Sequence, residues 1–138
     1  MSLNVPLLRS SFDLVVERAP DVTARFYVNL FSLYPQTREM FSPTRQKEQE
    51  SMLTQALVAV LDHLEDAPWL TTTLRSMGAK HVGYGVTDEM YDWVGHSLLL
   101  TLEQVAEDAW NDELKEAWTG AYGAIAGLMK EGAREAAA

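Results

Sequence analysis

The interpretation of this chain starts from residues 74–86, which read LRSMGAKHVGYGV. The pattern predicts a helix that carries His81 to its C-terminal end, because Gly83 and Gly85 follow closely and favour a break. Tyr91 comes ten residues after His81, early in the next predicted helix. The segment therefore predicts an imidazole at a helix end with a phenol near enough to support it.

This arrangement has two interpretations. A neutral imidazole held at a helix end and supported by a phenol is suited to be an axial ligand of a heme iron. The alternative is a half-exposed surface histidine, because a cation is mildly favoured near a helix C-terminus. The rest of the chain has to decide between the two.

The composition describes one compact and acidic domain. The 138 residues are 47% hydrophobic and 22% charged, which is typical of a folded domain rather than a disordered chain. The net charge is −9 with a pI near 4.7, so we expect neither nucleic acid nor an anionic membrane as a partner. The chain has no cysteine, which excludes disulfides, iron–sulfur clusters and cysteine zinc sites.

Targeting signals are not predicted. Pro6 and Arg9 interrupt the apolar run of residues 1–12, which is too short for a signal peptide. No stretch approaches 18 uninterrupted apolar residues, the length that a spanning helix needs. We therefore expect a cytoplasmic protein with one domain over residues 1–138.

Helical periodicity recurs between proline and glycine breaks. The predicted helices cover residues 4–18, about 20–34, a short turn to 41, about 45–65, about 68–81, 88–106, and a last helix that begins at 111 or 112 and weakens near Gly132. No segment of five residues alternates cleanly, so no sheet is predicted. The class is all-α with six or seven helices of unequal length. Corners near residues 35, 43, 68 and 83–86 favour a globin-like arrangement over a four-helix bundle.

Four landmarks carry a family resemblance. They are Ala24-Arg25-Phe26-Tyr27, Glu39-Met40-Phe41, Lys80-His81, and Ala117-Trp118 with Ala121-Tyr122-Gly123. In this order and at these spacings, the chain resembles a globin of the bacterial flavohemoglobin and single-domain hemoglobin type over nearly its whole length. The resemblance implies a globin fold around one heme b, which must be held without a covalent link to cysteine.

On the proximal side, the resemblance makes His81 the ligand of the iron. It also implies a supporting network of Tyr91 and a glutamate, which falls near Glu135, with Glu131 as the second choice. Gly132 and the terminal alanines suggest a frayed helix end, so the alternative for Glu135 is a solvated carboxylate. If the contact forms, it should make the imidazole more basic.

On the distal side, the resemblance makes Tyr27 the donor to a bound gas. Gln49 is the matching second donor, and Gln46 is the fallback because the preceding loop is slightly short. Leu53 lies one helical turn from Gln49 and would supply an apolar wall. The alternatives are an amphipathic core role for Tyr27 and a solvated face for either glutamine.

The remaining pocket residues follow from the same resemblance. Phe41 would wedge against the heme, and Val94 would line its plane. Lys80 would pair with a propionate, although an exposed lysine is the commoner case. His63 is expected to be exposed, and His96 to lie at the surface or at the edge of the core. Neither spacing forms a zinc site with His81.

The resemblance implies binding of O₂, NO and CO, and oxidation of NO to nitrate by O₂. We expect no FAD and NAD(P)H module beside this domain, and therefore turnover that needs a separate reductase. A monomer or weak homodimer is expected. Three alternatives stay open: a non-enzymatic protein for oxygen storage or delivery, a gas sensor read by a partner, and a heme-free fold used for protein interaction.

Overall fold

The computed structural model describes residues 3–41 and 43–137. Over these residues the chain forms six α-helices and no strand, which confirms the all-α class: α1 (Val5–Arg18), α2 (Val22–Leu33), α3 (Gln46–Asp62), α4 (Ala67–Gly83), α5 (Asp88–Ala106) and α6 (Asp112–Ala137). Short 3-10 helices cover Pro35–Met40, Pro43–Arg45 and Glu107–Ala109. Ser42, at the corner predicted near residue 43, lies outside the described residues.

The first two helices begin close to their predicted positions. The Asn4 side chain accepts a hydrogen bond from the Leu7 N–H at 3.3 Å, which satisfies one of the free amides of the α1 N-terminus. Pro20 lies before α2 rather than in its first turn, since that helix begins only at Val22. The predicted start at Pro20 was therefore two residues early.

Proline separates α2 from α3 through an irregular corner. Pro35 opens the 3-10 helix that follows Tyr34, because its ring is compatible with a first helical turn but not with a helix interior. The chain is extended at Phe41, where φ is −124°. This corner brings the Phe41 ring back toward α2, with its centroid 5.5 Å from that of Tyr27.

Consecutive helices α3 and α4 pack on different parts of the molecule. Helix α3 packs against α1 and α2, whereas α4 packs along α6. The Asp66 carboxylate caps the start of α4 by accepting from the Trp69 N–H at 3.2 Å. The described residues show almost no direct packing of α3 against α4 beyond their junction, where His63 stacks on Trp69.

The last helix continues further than the sequence suggests. Helix α6 runs unbroken through Gly132 to Ala137, so the predicted weakening there was wrong. Glycine costs about 1 kcal/mol relative to alanine inside a helix, and this cost led to the prediction. Gly132 is buried against the main chain of α4, where only a glycine leaves enough room. A tertiary contact therefore outweighs the intrinsic preference.

The main hydrophobic core is formed mostly by α1, α5 and α6, and α3 and α4 add Val60, Leu61 and Leu74. Phe12 packs on Trp118 with ring centroids 6.3 Å apart, and the Trp118 indole N–H donates to the Ser11 hydroxyl at 2.9 Å. A second buried cluster forms around Phe26, Tyr27 and Leu30 of α2. This second cluster contains Tyr27, which the sequence resemblance predicts as the donor to a bound gas.

Candidate functional site

His81 lies in the last turn of α4 and is half-buried. Its Nδ1 is 2.6 Å from the main-chain oxygen of Met77, one turn earlier in the same helix. A carbonyl only accepts hydrogen bonds, so Nδ1 carries the proton and Nε2 keeps its lone pair in the neutral ring. The Tyr84 ring packs edge-on against the imidazole at 5.5 Å. Local main-chain geometry thus presents a nitrogen that is free to bind a metal.

Tyr27 is buried in the aromatic cluster on α2, with 4% of its surface exposed. Its ring meets Phe26 at 5.0 Å, Phe41 at 5.5 Å and Phe31 at 5.9 Å. Such tilted and edge-on contacts restrict the ring without using its hydroxyl. The phenol oxygen is therefore placed by apolar packing and remains available as a donor.

The Tyr27 phenol has a polar partner in Gln49. Burial raises the pKa of Tyr27 above its usual value, a hydrogen bond with the Gln49 side chain lowers it in part, and the Glu50 carboxylate adds to the rise. The phenol therefore stays protonated at neutral pH. Gln46 makes a different contact, because its amide donates to Glu50 at 3.0 Å. Of the two predicted glutamines, the structure brings Gln49 to the tyrosine.

Phe41, Leu53 and Val94 all pack against the same cluster as Tyr27. They come from the 3-10 corner, α3 and α5, so three separate elements contribute one apolar wall. Each of these side chains is half-buried. Four of the predicted pocket residues are therefore brought together.

Tyr91 is buried on α5 as part of the main core. Its phenol oxygen has no hydrogen-bond partner among the described residues, although its main-chain oxygen accepts from the Tyr122 hydroxyl at 2.6 Å. Burial raises the pKa of Tyr91, and the Asp88 carboxylate adds to this rise. The structure thus holds a protonated phenol whose hydrogen-bonding capacity is unused.

The two predicted glutamates both contact Arg75. Glu135 approaches the guanidinium at 3.0 Å and Glu131 at 3.2 Å, and all three side chains are substantially exposed. Neither carboxylate contacts Tyr91 or His81 in the described part of the chain. The structure therefore brings Glu135 to α4, but six residues before the predicted ligand.

The other predicted polar residues lie at the surface or at the edge of the core. Lys80 is exposed. The expectation that His63 is exposed was wrong: it is half-buried because it stacks on Trp69 at 3.8 Å, with its Nδ1 2.7 Å from the Ala59 oxygen. His96 is exposed, and its Nδ1 lies 2.8 Å from the Tyr34 hydroxyl. Neither of these two histidines approaches His81.

Sequence analysis missed one aromatic contact beside the pocket. Trp93 stacks on Tyr34 with ring centroids 5.3 Å apart, and both pack against the Tyr27 cluster. Trp93 directly precedes Val94, so a closer inspection of the residues flanking Val94 could have identified it. The partner Tyr34, in contrast, is 59 positions away and gives no local signal.

Two surface clefts lie away from these residues. One, of about 320 Å³, is lined by Arg18, Arg25 and Asp108, and the other, of about 460 Å³, lies along the first turns of α6. Neither His81 nor the residues around Tyr27 line these clefts. No helix in the described ranges is long and apolar enough to cross a membrane.

Comparison with known proteins adds independent information. Residues 24–129 match the globin family. A flavohemoprotein of Vibrio cholerae is 33% identical over 134 residues, which cover 94% of this chain and 34% of that protein. One from Bordetella pertussis is 32% identical over 125 residues, or 89% of this chain and 31% of that protein. The chain thus spans about a third of the length of these relatives.

Solved structures show the same fold. A bacterial globin from Campylobacter jejuni superimposes with a TM-score of 0.81 at 24% identity, covering 95% of this chain and 94% of that one. An engineered carbene transferase from Rhodothermus marinus, with a provisional assignment as a nitric oxide dioxygenase, gives 0.83 at 25% identity, with 97% and 95% covered.

Proposed function

The chain belongs to the globin family, and on that premise we propose that it binds O₂ and NO at a non-covalent heme b and converts NO to nitrate when electrons are supplied. The globin family implies heme and the binding of small gases. The choice of heme b, the residue roles and the dioxygenation are our proposal.

The donor set of the site fits heme. His81 offers one free imidazole nitrogen, which would hold a heme iron. The apolar wall around Tyr27 suits an apolar ring. The absence of cysteine leaves non-covalent binding as the mode. In this assignment His81 holds the iron, and Phe41, Leu53 and Val94 border the ring.

The observation that carries the proposal is the Tyr27–Gln49 pair within an aromatic cluster. A buried phenol that stays protonated could donate a hydrogen bond to O₂, which would draw negative charge from a heme and accept more strongly than CO. Gln49 lies close enough to lower the pKa of the phenol in part and could itself donate through its amide. A hydrogen bond to a charged acceptor is stronger than a neutral one, so these donors favour O₂ over CO.

The heme would supply reversible gas binding and one electron for the reaction NO + O₂ + e⁻ → NO₃⁻. The protein's part is to hold O₂ through Tyr27 and Gln49 and to limit the access of water through the apolar wall. The electron must be returned after each cycle. We therefore propose a separate flavin and NAD(P)H reductase as the partner.

Consumption of NO tests this function against a storage or sensing role. The oxygenated protein is mixed with a several-fold excess of NO, with and without NADH and a flavin reductase, and nitrate is measured. We expect one nitrate per heme without the reductase and many with it. A yield that stays at one per heme in the presence of a reductase that demonstrably reduces the ferric protein would reject dioxygenase turnover and leave gas storage.

A further inference from the structure

Gly78 of α4 and Gly132 of α6 mark a very close approach between these two helices. A Cβ added at Gly78 would overlap the Met129 carbonyl and lie 2.7 Å from the Met129 Cα. A Cβ at Gly132 would overlap the Arg75 carbonyl in the same way. In both cases the obstacle is main chain, which cannot rotate away as a side chain could.

The two contacts are reciprocal. Each glycine lies on the main chain of the other helix, and the contact points are three residues apart on both: 75 and 78 on α4, 129 and 132 on α6. Three residues is close to one helical turn, so both contacts lie on one face of each helix. Two such contacts fix how closely the helices approach and how far they can slide.

The ion pairs of Arg75 also join α4 and α6, but they do not set the distance between the two helices. The guanidinium reaches Glu131 and Glu135, on either side of Gly132. These groups are 42 to 63% exposed, and exposed ion pairs contribute little to stability. The separation of the helices is therefore decided by the contacts of the glycines with main chain.

His81 lies in α4 close to the contact between Gly78 and α6. It follows Gly78 by three residues in the same helix, and its Nδ1 is bonded to the Met77 carbonyl beside Gly78. A displacement of α4 at Gly78 would therefore move the imidazole with it. We propose that Gly78 and Gly132 are positioning residues, which set the depth at which α4 presents His81 to the iron. This inference rests on the proposed function.

Alanine at either glycine should push α4 away from α6. The distance between packed helices depends on the side chains at the contact, and an added methyl group requires a shift on the order of 1 Å. A misplacement of that size can change a rate by up to about a hundredfold. For Gly78→Ala we expect CO association to change by about tenfold, and for Gly132→Ala by less because it lies further from His81.

Gly123→Ala and Gly127→Ala are matched controls. Both positions are in α6, and a Cβ there meets nothing within 4 Å. The same chemical change on the same helix should therefore leave the site unaltered. Arg75→Gln is a second control, because it removes the ion pairs and keeps both glycines.

The decisive readout is the iron–imidazole stretching band of the ferrous protein, measured by resonance Raman spectroscopy. Gly78→Ala should shift it, whereas Gly123→Ala, Gly127→Ala and Arg75→Gln should leave it in place. An unshifted band in Gly78→Ala, or an equal shift in Arg75→Gln, would overturn the proposal.

Replacing the His81 side chain with free imidazole distinguishes a positioning role of Gly78 from a general effect on folding. In a His81→Gly background supplied with free imidazole, the ligand is no longer carried by α4. Adding Gly78→Ala to that background should then change neither the band nor heme occupancy, even if Gly78→Ala alone loses heme. Equal damage in both backgrounds would mean that the glycine serves folding only. Failure of His81→Gly to alter the band would instead reject the ligand assignment itself.

Discussion

The distal and proximal sides of the proposed pocket are built by different means. Tyr27 is fixed by side chains: three aromatic rings surround it and Gln49 bonds to its hydroxyl. His81 is fixed by main chain, through the Met77 carbonyl and the packing of α4 against α6. In the proposed function, side-chain chemistry would therefore select the gas on one side, and helix geometry would hold the metal ligand on the other.

Removing His81 should have the largest effect. His81→Ala takes away the only iron ligand in the proposal, so we expect heme binding to be lost and partly restored by added imidazole. Heme titration of the apoprotein, followed by absorption, measures this. His96→Ala is the control, because that imidazole is exposed and bonded to Tyr34. A His81→Ala protein that keeps the wild-type ferrous spectrum would contradict the assignment.

The distal donors should have the next largest effect. Tyr27→Phe should speed O₂ release about tenfold or more, since a hydrogen bond to a charged group is worth about 1.5–3 kcal/mol. Gln49→Ala should act in the same direction more weakly, and the two effects should not add because both residues serve one ligand. Stopped-flow kinetics of O₂ release and CO binding measure both. Equal changes for O₂ and CO would indicate altered access rather than lost donation.

Tyr91 and Tyr122 allow a test of whether the Tyr91 hydroxyl lacks a hydrogen-bond partner. Tyr122→Phe removes a 2.6 Å bond to the Tyr91 carbonyl and should cost about 1 kcal/mol of unfolding free energy. Tyr91→Phe removes a buried hydroxyl without a partner and should leave the apoprotein equally or more stable. Denaturant unfolding of both apoproteins compares them. Equal losses would show that the Tyr91 hydroxyl is bonded.

The smallest effect is expected for Glu135. Glu135→Gln breaks an exposed ion pair with Arg75 and should cost at most about 0.5 kcal/mol. The sequence resemblance instead gives Glu135 a supporting role behind His81, which stays a prediction. The iron–imidazole band distinguishes the two: we expect no change in Glu135→Gln, and a shift would mean that the carboxylate reaches the proximal side.

Periodicity and breaks in the sequence were sufficient to predict the helices, because packing of apolar faces determines them, whereas the grouping of Phe41, Leu53 and Val94 with Tyr27 was expected from the family resemblance. The contacts of Glu135 and Gly132 could not be predicted in this way. A helical pattern indicates which face is buried, but not which residue of another helix lies opposite it. Intrinsic preference suggested a frayed end near Gly132, whereas the close contact with α4 requires a glycine inside a continuous helix.

The absorption spectrum of the purified, heme-reconstituted protein tests the central claim most directly. We predict a ferrous spectrum of one histidine-ligated heme per chain, which changes on addition of CO and of O₂. His81→Gly should lose this spectrum and recover it with imidazole. A protein that takes up no stoichiometric heme, or whose ferrous spectrum does not respond to CO, would contradict the account.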